Sequence, residues 1–325
     1  MSRPLAAIMA MALPLLVLPF AAADEDAYRI MNDVIMSKGN VDYAAERVVE
    51  FYQNGRKARV VRQRVFRKRG DKQRIETLEP VTEAGQLVVS NGVLLWEYSP
   101  QRGFVVQRQL PSPTMLKNNR ERSAQLIREA LVLQYAGRRT MAKRPSHSIL
   151  IKDKGGRLLR KCWVDADSNV ELQVETYGEN SSLSTSIEIT SIDYSPSFVP
   201  GMFDFAAPAG VKIVHAPAPA RRMTLAAAQR IAGFSAVVPT YLPPSYVFEA
   251  DRVAVTTYRG LPTLWLTFCN GLDTFSLFEN KCAQNSVAAR QQTCATQWCD
   301  NGVCFTLVGN LTSDEVEKLV KSLGR

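Results

Sequence analysis

The sequence predicts an α+β protein: a large curled antiparallel sheet covered by helices, joined to a smaller α+β domain that contains disulfides. Three observations predict it. Residues 43–110 and 147–195 are mostly short runs of period-2 alternation, parted by Gly, Asn and Pro. Two stretches at helical spacing, 25–40 and 118–135, flank these runs. A Pro/Ala-rich segment, APAPARR at 216–222, then leads into a shorter region holding five of the six cysteines.

The chain opens MSRPLAAIMAMALPLLVLPFAAADED, the layout of a cleaved secretory signal over residues 1–23. Arg3 precedes an apolar run from Leu5 to Phe20, and Ala21-Ala22-Ala23 forms a small-residue cleavage site before Asp24. Pro14 and Pro19 break that run, which is short for a membrane span. Removal of the signal leaves about 300 residues, more than one core usually accommodates. Two domains are therefore expected, 24–215 and 223–325, joined by the linker 216–222. Export points to the periplasm, an oxidising compartment where cysteines pair.

In residues 25–40, Tyr28, Met31, Val34 and Ile35 recur at helical spacing. Strands follow as AERVVEFYQ, ARVVRQRVFRK, QRIETLE, QLVVS, GVLLWEYSP and GFVVQRQL, with Asn91-Gly92 marking a hairpin. Residues 118–135 place Leu126, Ala130, Leu131 and Leu133 toward one side of a second helix. HSILIKD, GRLLRKCWVD, VELQVETYG and TSIEITSIDYS resume the strands, with a DKGG hairpin among them, and FDFAAPAGVKIV closes the module. About ten strands in one sheet must curl or close. After the linker, MTLAAAQRIAGF reads as a helix capped by Thr224 and ended by Gly233. Strands return in VFEADRVAVTTY, LPTLWLTFC, DTFSLFEN and CFTLVGN. The last helix, DEVEKLVKSL, has Thr312 and Glu315 at capping-box spacing.

The net charge of +9 is unevenly placed, since residues 56–74 hold ten Lys/Arg against one Asp. Export argues against nucleic acid, leaving anionic lipid headgroups, an acidic partner, or solvation of an exposed face. His147 and His215, the two histidines, have no neighbouring acid or Cys/His spacing and read as surface residues. No nucleophile elbow, zinc-protease, P-loop or dinucleotide-binding arrangement is present, so no enzyme and no cofactor is expected.

The cysteines say more. In QWCDNGVCF, a two-residue Asn301-Gly302 turn pairs Asp300 with Val303 and sets Cys299 opposite Cys304, about 4.5 Å apart at Cα. Cys299–Cys304 is one candidate bridge; pairing Cys294 with either of them is the alternative. Cys282, Cys294, Cys299 and Cys304 allow three connectivities. A metal site is the rival, disfavoured by export and by the lack of a CxxC pair. The odd cysteine is free or reaches Cys162.

In its order of motifs the chain resembles the RseB/MucB family, periplasmic regulators of the envelope-stress sigma factor. A helix, the basic strands RQRVFRKRGDKQRIE, the hairpin SNGVLLWEYSP and the late FDFAAPAGVKIV follow the LolA/LolB-like pattern of the family's first module. VPTYLPPSYVFEADRV is similar to its Leu-Pro-Gly-Phe opening of the second module, with Pro244-Ser245-Tyr246 in place of Pro-Gly-Phe. FCNGLDTFSLFEN resembles its DGL-x-x-x-SVF strand pair, with Asn270 for the acid, and FTLVGNLTSDEVEKLVKSL its closing strand and helix. The resemblance implies a LolA-like half-barrel that binds lipid or lipopolysaccharide fragments in its hollow. It also implies docking on the periplasmic region of a membrane-bound anti-sigma factor. A homo-oligomer is left open.

Two residue sets carry the lipid expectation. Leu94, Trp96 and Tyr98 share one strand face, and with Leu87, Val89, Phe104 and Val106 they would line an acyl-chain cavity; the alternative is that they are packed core. Arg59, Arg62, Arg64, Arg67, Lys68 and Arg69 would meet a phosphate or an acidic peptide. A LolA-type carrier of lipids or lipoproteins is the second function, disfavoured by the second domain, which such carriers lack. An exported hydrolase is the third, with no nucleophile–base set to support it.

Overall fold

The computed structural model describes residues 20–178, 181–216, 220–282, 290–292 and 295–323. The expected signal, 1–23, lies outside them except for its last four residues, which begin the first helix, and so do residues 217–219 of the linker and Cys294. No helix among the described residues is long and apolar enough to cross a membrane.

Helix α1 (Phe20–Ser37) leads into six antiparallel strands: β1 (Tyr43–Gln53), β2 (Arg56–Lys68), β3 (Lys72–Glu79), β4 (Leu87–Asn91), β5 (Leu94–Ser99) and β6 (Phe104–Gln109). Helix α2 (Pro113–Ala130) crosses back. A second run follows: β7 (Val132–Met141), β8 (Arg144–Lys152), β9 (Leu158–Asp165), β10 (Glu171–Tyr177) and β11 (Leu183–Asp193). Pairing of β1 with β11 fuses the two runs into one curled sheet. After a coil, β12 (Lys212–His215) joins the far edge, so twelve strands lie in the order 12-6-5-4-3-2-1-11-10-9-8-7. Among the described residues the one parallel pairing is that of β12 with β6.

The sheet exceeds the expected ten strands by β12 and β7, and β7 is there because the second helix lies elsewhere than 118–135. Ser112 accepts from the Met115 N–H at 3.3 Å with Pro113 in the first turn, so the helix begins there. It stops at Ala130 because the next residues alternate: Val132 is 44% exposed and Leu133 fully buried, a period of two. Leu133 pairs with Ile151 as part of β7.

Helices α1 and α2 pack on one face of the sheet, called inner here. Ala27, Ile30, Met31 and Val34 of α1 and Ile127 and Ala130 of α2 form a core with Leu133, Ile149, Ile151, Cys162 and Val164. Of the two histidines expected at the surface, His147 is half-buried beside this core, where it meets the Tyr135 hydroxyl at 3.1 Å, and His215 is exposed.

The second sheet has eight strands: β13 (Arg222–Met223), β14 (Val247–Phe248), β15 (Val253–Tyr258), β16 (Leu261–Cys269), β17 (Thr274–Lys281), β18 (Arg290–Gln292), β19 (Ala295–Asp300) and β20 (Val303–Val308). Helices α3 (Leu225–Ala232) and α4 (Ser313–Leu323) cover a core that contains Phe268 stacked on Phe275 at 4.6 Å. Both helix starts follow from the sequence. Thr224 accepts from Ala227 N–H, and Gly233 ends α3 at φ 75°. In the capping box, Glu315 takes the Thr312 N–H at 2.8 Å and Thr312 the Glu315 N–H at 3.2 Å. Thr312→Ala is expected to lower stability by about 1 kcal/mol, read as a shift in denaturant midpoint.

Candidate functional site

Strand alternation and register decide which side chains share a face. Ala45, Arg47 and Val49 of β1 lie beside Val65, Gln63 and Val61 of β2 on the inner face. Val65 pairs onward with Ile75, and Ile75 with Val88. Near the end of α1 the helix leaves this face uncovered. A cavity of about 250 Å³ opens there between Val34, Ser37, Lys38 and Gly39 on one side and Tyr43, Arg47, Val65, Arg67, Val174, Ile187 and Ile189 on the other.

Two guanidiniums enter this cavity, whose wall mixes aliphatic side chains with Lys38, Asn169 and Glu171. Arg47 donates to Gln63 Oε1 at 2.8 Å, and Arg67 Nε is buried with no hydrogen-bond partner. Neither forms an ion pair with a carboxylate among the described residues. Burial, with the adjacent Arg67 charge, pushes the Arg47 guanidinium below its ordinary value. Glu171 is the one carboxylate in the lining, against Lys38, Arg47 and Arg67, so the excess of positive charge leaves a site suited to an anion. Gly39 seats the end of α1: a Cβ there would come within 2.0 Å of Asp71 Oδ1, which Arg120 of α2 holds at 2.5 Å.

The seven apolar residues expected to line a cavity divide between the faces. Leu87, Val89, Leu94, Trp96 and Tyr98 lie on the outer face, because Val89, paired with Arg74 and with Trp96, alternates with the inward Val88. There they pack with Val105 under Phe205, Ala207 and Val211 of the coil before β12. The Phe205 ring is 6.2 Å from Trp96 and 5.8 Å from Tyr98. Trp96 Nε1 donates to Gln107 at 3.1 Å. These five are core, closed by the chain's own segment. Phe104 and Val106 point to the opposite face, Val106 being paired with Glu97.

The basic set divides in the same way. Arg59 and Arg67 fall on the inner face of β2, and Arg62, Arg64 and Lys68 on the outer. Arg59 pairs with Glu83 and lies 4.6 Å over the Phe51 ring. Arg62 meets Glu79 at 2.9 Å and Arg64 meets Glu76 at 3.7 Å. Lys68 stands 5.7 Å from the Phe198 ring, and the Arg69 N–H is taken by Asp42 at 2.8 Å. Of the six, Arg67 lines the cavity. Sequence reasoning missed Arg47, although a charged residue between Ala45 and Val49 on the buried side of an alternating strand was a signal.

A second feature is the seam between the two sheets. Arg122 of α2 donates to Glu249 at 3.1 Å, and Arg252 reaches Asn119 at 3.0 Å. Arg157 bridges Asp153 at 3.0 Å and Glu315 at 2.7 Å, and Arg160 meets Asp273 at 2.6 Å. The turn Asn270–Asp273 presses against α2, and Leu272 packs on the first module's core. Gly271, at φ 90°, has room for no side chain, since a Cβ would lie 2.6 Å from Ser123 O and 2.8 Å from Ile127 N. Asn270 Oδ1 accepts from the N–H groups of Leu272 at 3.0 Å and Asp273 at 2.8 Å. At 1% exposure, an amide supplies that acceptor without burying a charge.

The cysteines form a third group. Cys299 and Cys304 oppose each other at the Asn301-Gly302 hairpin with a Cα separation of 4.1 Å. Cys282 joins them from the end of β17, 5.5 Å from Cys304 at Cα. Cys162 and Cys269 are buried and unbridged. Burial, helped by Glu249, pushes the Cys269 thiol up to about 12.

No protein-family model and no curated protein matches the sequence significantly. Solved structures do. In the MucA/MucB complex of Pseudomonas aeruginosa, a chain 17% identical aligns over 92% of this chain and 97% of its own length, with a TM-score of 0.61. MucB in complex with MucA(peri) aligns at 16% identity over 91% and 98%, with a TM-score of 0.59. MucB alone aligns at 15% over 92% and 97%, at 0.53. With nine-tenths of the chain aligned, this chain has the fold of MucB.

Proposed function

We propose that this chain is a periplasmic regulator of the envelope-stress response, which binds the periplasmic region of a membrane-bound anti-sigma factor and senses a lipid or lipopolysaccharide fragment. Residues 24–215 would form the ligand-binding domain and 223–325 the companion domain. The observation that carries this reading is the full-length likeness to MucB, whose structures include complexes with MucA. The seam favours a regulator over a single-module lipid carrier, because half-buried ion pairs lock the second module to the first, Arg122 of α2 to Glu249 and Arg157 of the β8–β9 turn to Glu315 of α4. Affinity capture of the mature protein from a membrane extract, with mass spectrometry of proteins and lipids, tests it. A single-pass anti-sigma protein supports the reading; lipidated proteins alone would replace it with the carrier.

For the ligand, the cavity beneath α1 is the proposed site, with an acyl segment along Val65, Val174 and Ile187 and its anionic group at Arg47 and Arg67. Each buried methylene contributes about 0.8 kcal/mol, and a charge-assisted hydrogen bond about 1.5–3 kcal/mol. Arg47→Gln with Arg67→Gln should therefore weaken binding of dodecyl phosphate at least tenfold, by isothermal calorimetry, and reduce its salt dependence. Arg62→Gln with Arg64→Gln on the outer face should change little. Equal effects of the two pairs would remove the cavity from the account.

A further inference from the structure

Cys282, Cys299 and Cys304 bring three sulfurs within 4.8 Å of one another, and none of the three residues is fully buried. Cys304 sits on β20, between β17 and β19. It is within bonding reach of Cys299 across one neighbour and of Cys282 from the end of the other. Both Cα separations are near the range that a disulfide spans without backbone movement. One sulfur cannot hold both bridges. The Cys282 N–H is fixed to Gly302 O at 2.8 Å, so the third sulfur stays beside the bridge whichever pair has closed.

We propose that these residues form a thiol–disulfide exchange site in which Cys304 bonds alternately to Cys299 and Cys282. A disulfide-bonded oxidant of the exporting compartment closes the first bridge and is itself reduced to a dithiol. Exchange then needs no further reagent. The Cys282 thiolate attacks Cys304 Sγ, the Cys282–Cys304 bond forms as the Cys299–Cys304 bond breaks, and Cys299 leaves as the thiolate that takes up the proton Cys282 released. The staple thereby moves from the β19–β20 hairpin to the β17–β20 pair, and one accessible thiol persists in either state. Cys162 and Cys269 are too buried to supply that thiol.

The test is disulfide mapping of the full-length protein purified without reductant. Thiols are trapped with N-ethylmaleimide, and digestion with trypsin plus a protease that cuts before Asp300 separates Cys282, Cys299 and Cys304. Both the 299–304 and the 282–304 links should appear, each with the remaining member of the trio alkylated. After a pH jump from 6 the two should interconvert about tenfold faster per pH unit, up to the thiol value near 8.5. Cys299→Ser should leave only the 282–304 link, and Cys282→Ser only the 299–304 link. A single fixed link, a link from Cys294 that leaves no alkylated member of the trio, or zinc bound stoichiometrically to the purified protein would overturn the proposal.

Discussion

Glu279→Gln is expected to stabilise the second module by about 3 kcal/mol at pH 8 and to change it little at pH 4. Glu279 lies on β17, fully buried in the sheet core. One carboxylate oxygen accepts from the Val237 N–H at 2.9 Å and the other has no partner. Burial raises its value from 4.5 to about 7, the Val237 bond opposing only part of that rise. The sign follows from proton counts. Below about pH 4.5 both states are protonated and nothing is lost. As pH rises from there to about 7 the unfolded chain ionises while the folded one resists, so stability falls through that window and levels off above it. At 1.36 kcal/mol per unit the loss reaches about 3 kcal/mol. Guanidinium unfolding at pH 4, 6 and 8, followed by Trp265 and Trp298 fluorescence, should show wild type drifting below the variant. Parallel curves would mean that Glu279 ionises in the fold without penalty.

Gly271→Val should unlock the seam. A β-branched residue at φ 90° is strained by about 1–2 kcal/mol, and its Cβ would collide with the backbone of Ser123 and Ile127, an overpacking of about 1–3 kcal/mol. The turn would have to lift from α2, taking Leu272 out of the first module's core. Calorimetry should then resolve two thermal transitions where wild type gives one, and proteases should cut near residues 216–222. Gly271→Ala should show the same trend more weakly. A single unshifted transition in both variants would mean that the ion pairs alone hold the modules.

What was legible in the sequence was local. The Thr312–Glu315 box, the Thr224 and Gly233 caps, and the pairing of Cys299 with Cys304 at Asn301-Gly302 are all specified within six residues of chain, and the structure has each of them. Period-2 alternation likewise placed Leu94, Trp96 and Tyr98 on one face. Alternation cannot say which face meets the helices. That depends on Phe205 and Val211, about a hundred residues downstream, closing over the other side. The same limit split the basic run: adjacency in sequence put Arg67 beside Lys68, while the pleat sent them to opposite faces. Cys282 was in the candidate set, but its place beside Cys304 needs the β17–β20 pairing, which only the folded sheet provides.

Helix α2 touches α1, holds Asp71 beside the cavity through Arg120, and meets the second sheet through Asn119, Arg122 and Ile127. A helix held from two sides relays displacement. A guest that wedges α1 outward must shift this helix or loosen its hold on the second module. Any protein that clamps that hold would then raise the guest's dissociation constant, and by thermodynamic reciprocity the guest would raise the clamp's by the same factor.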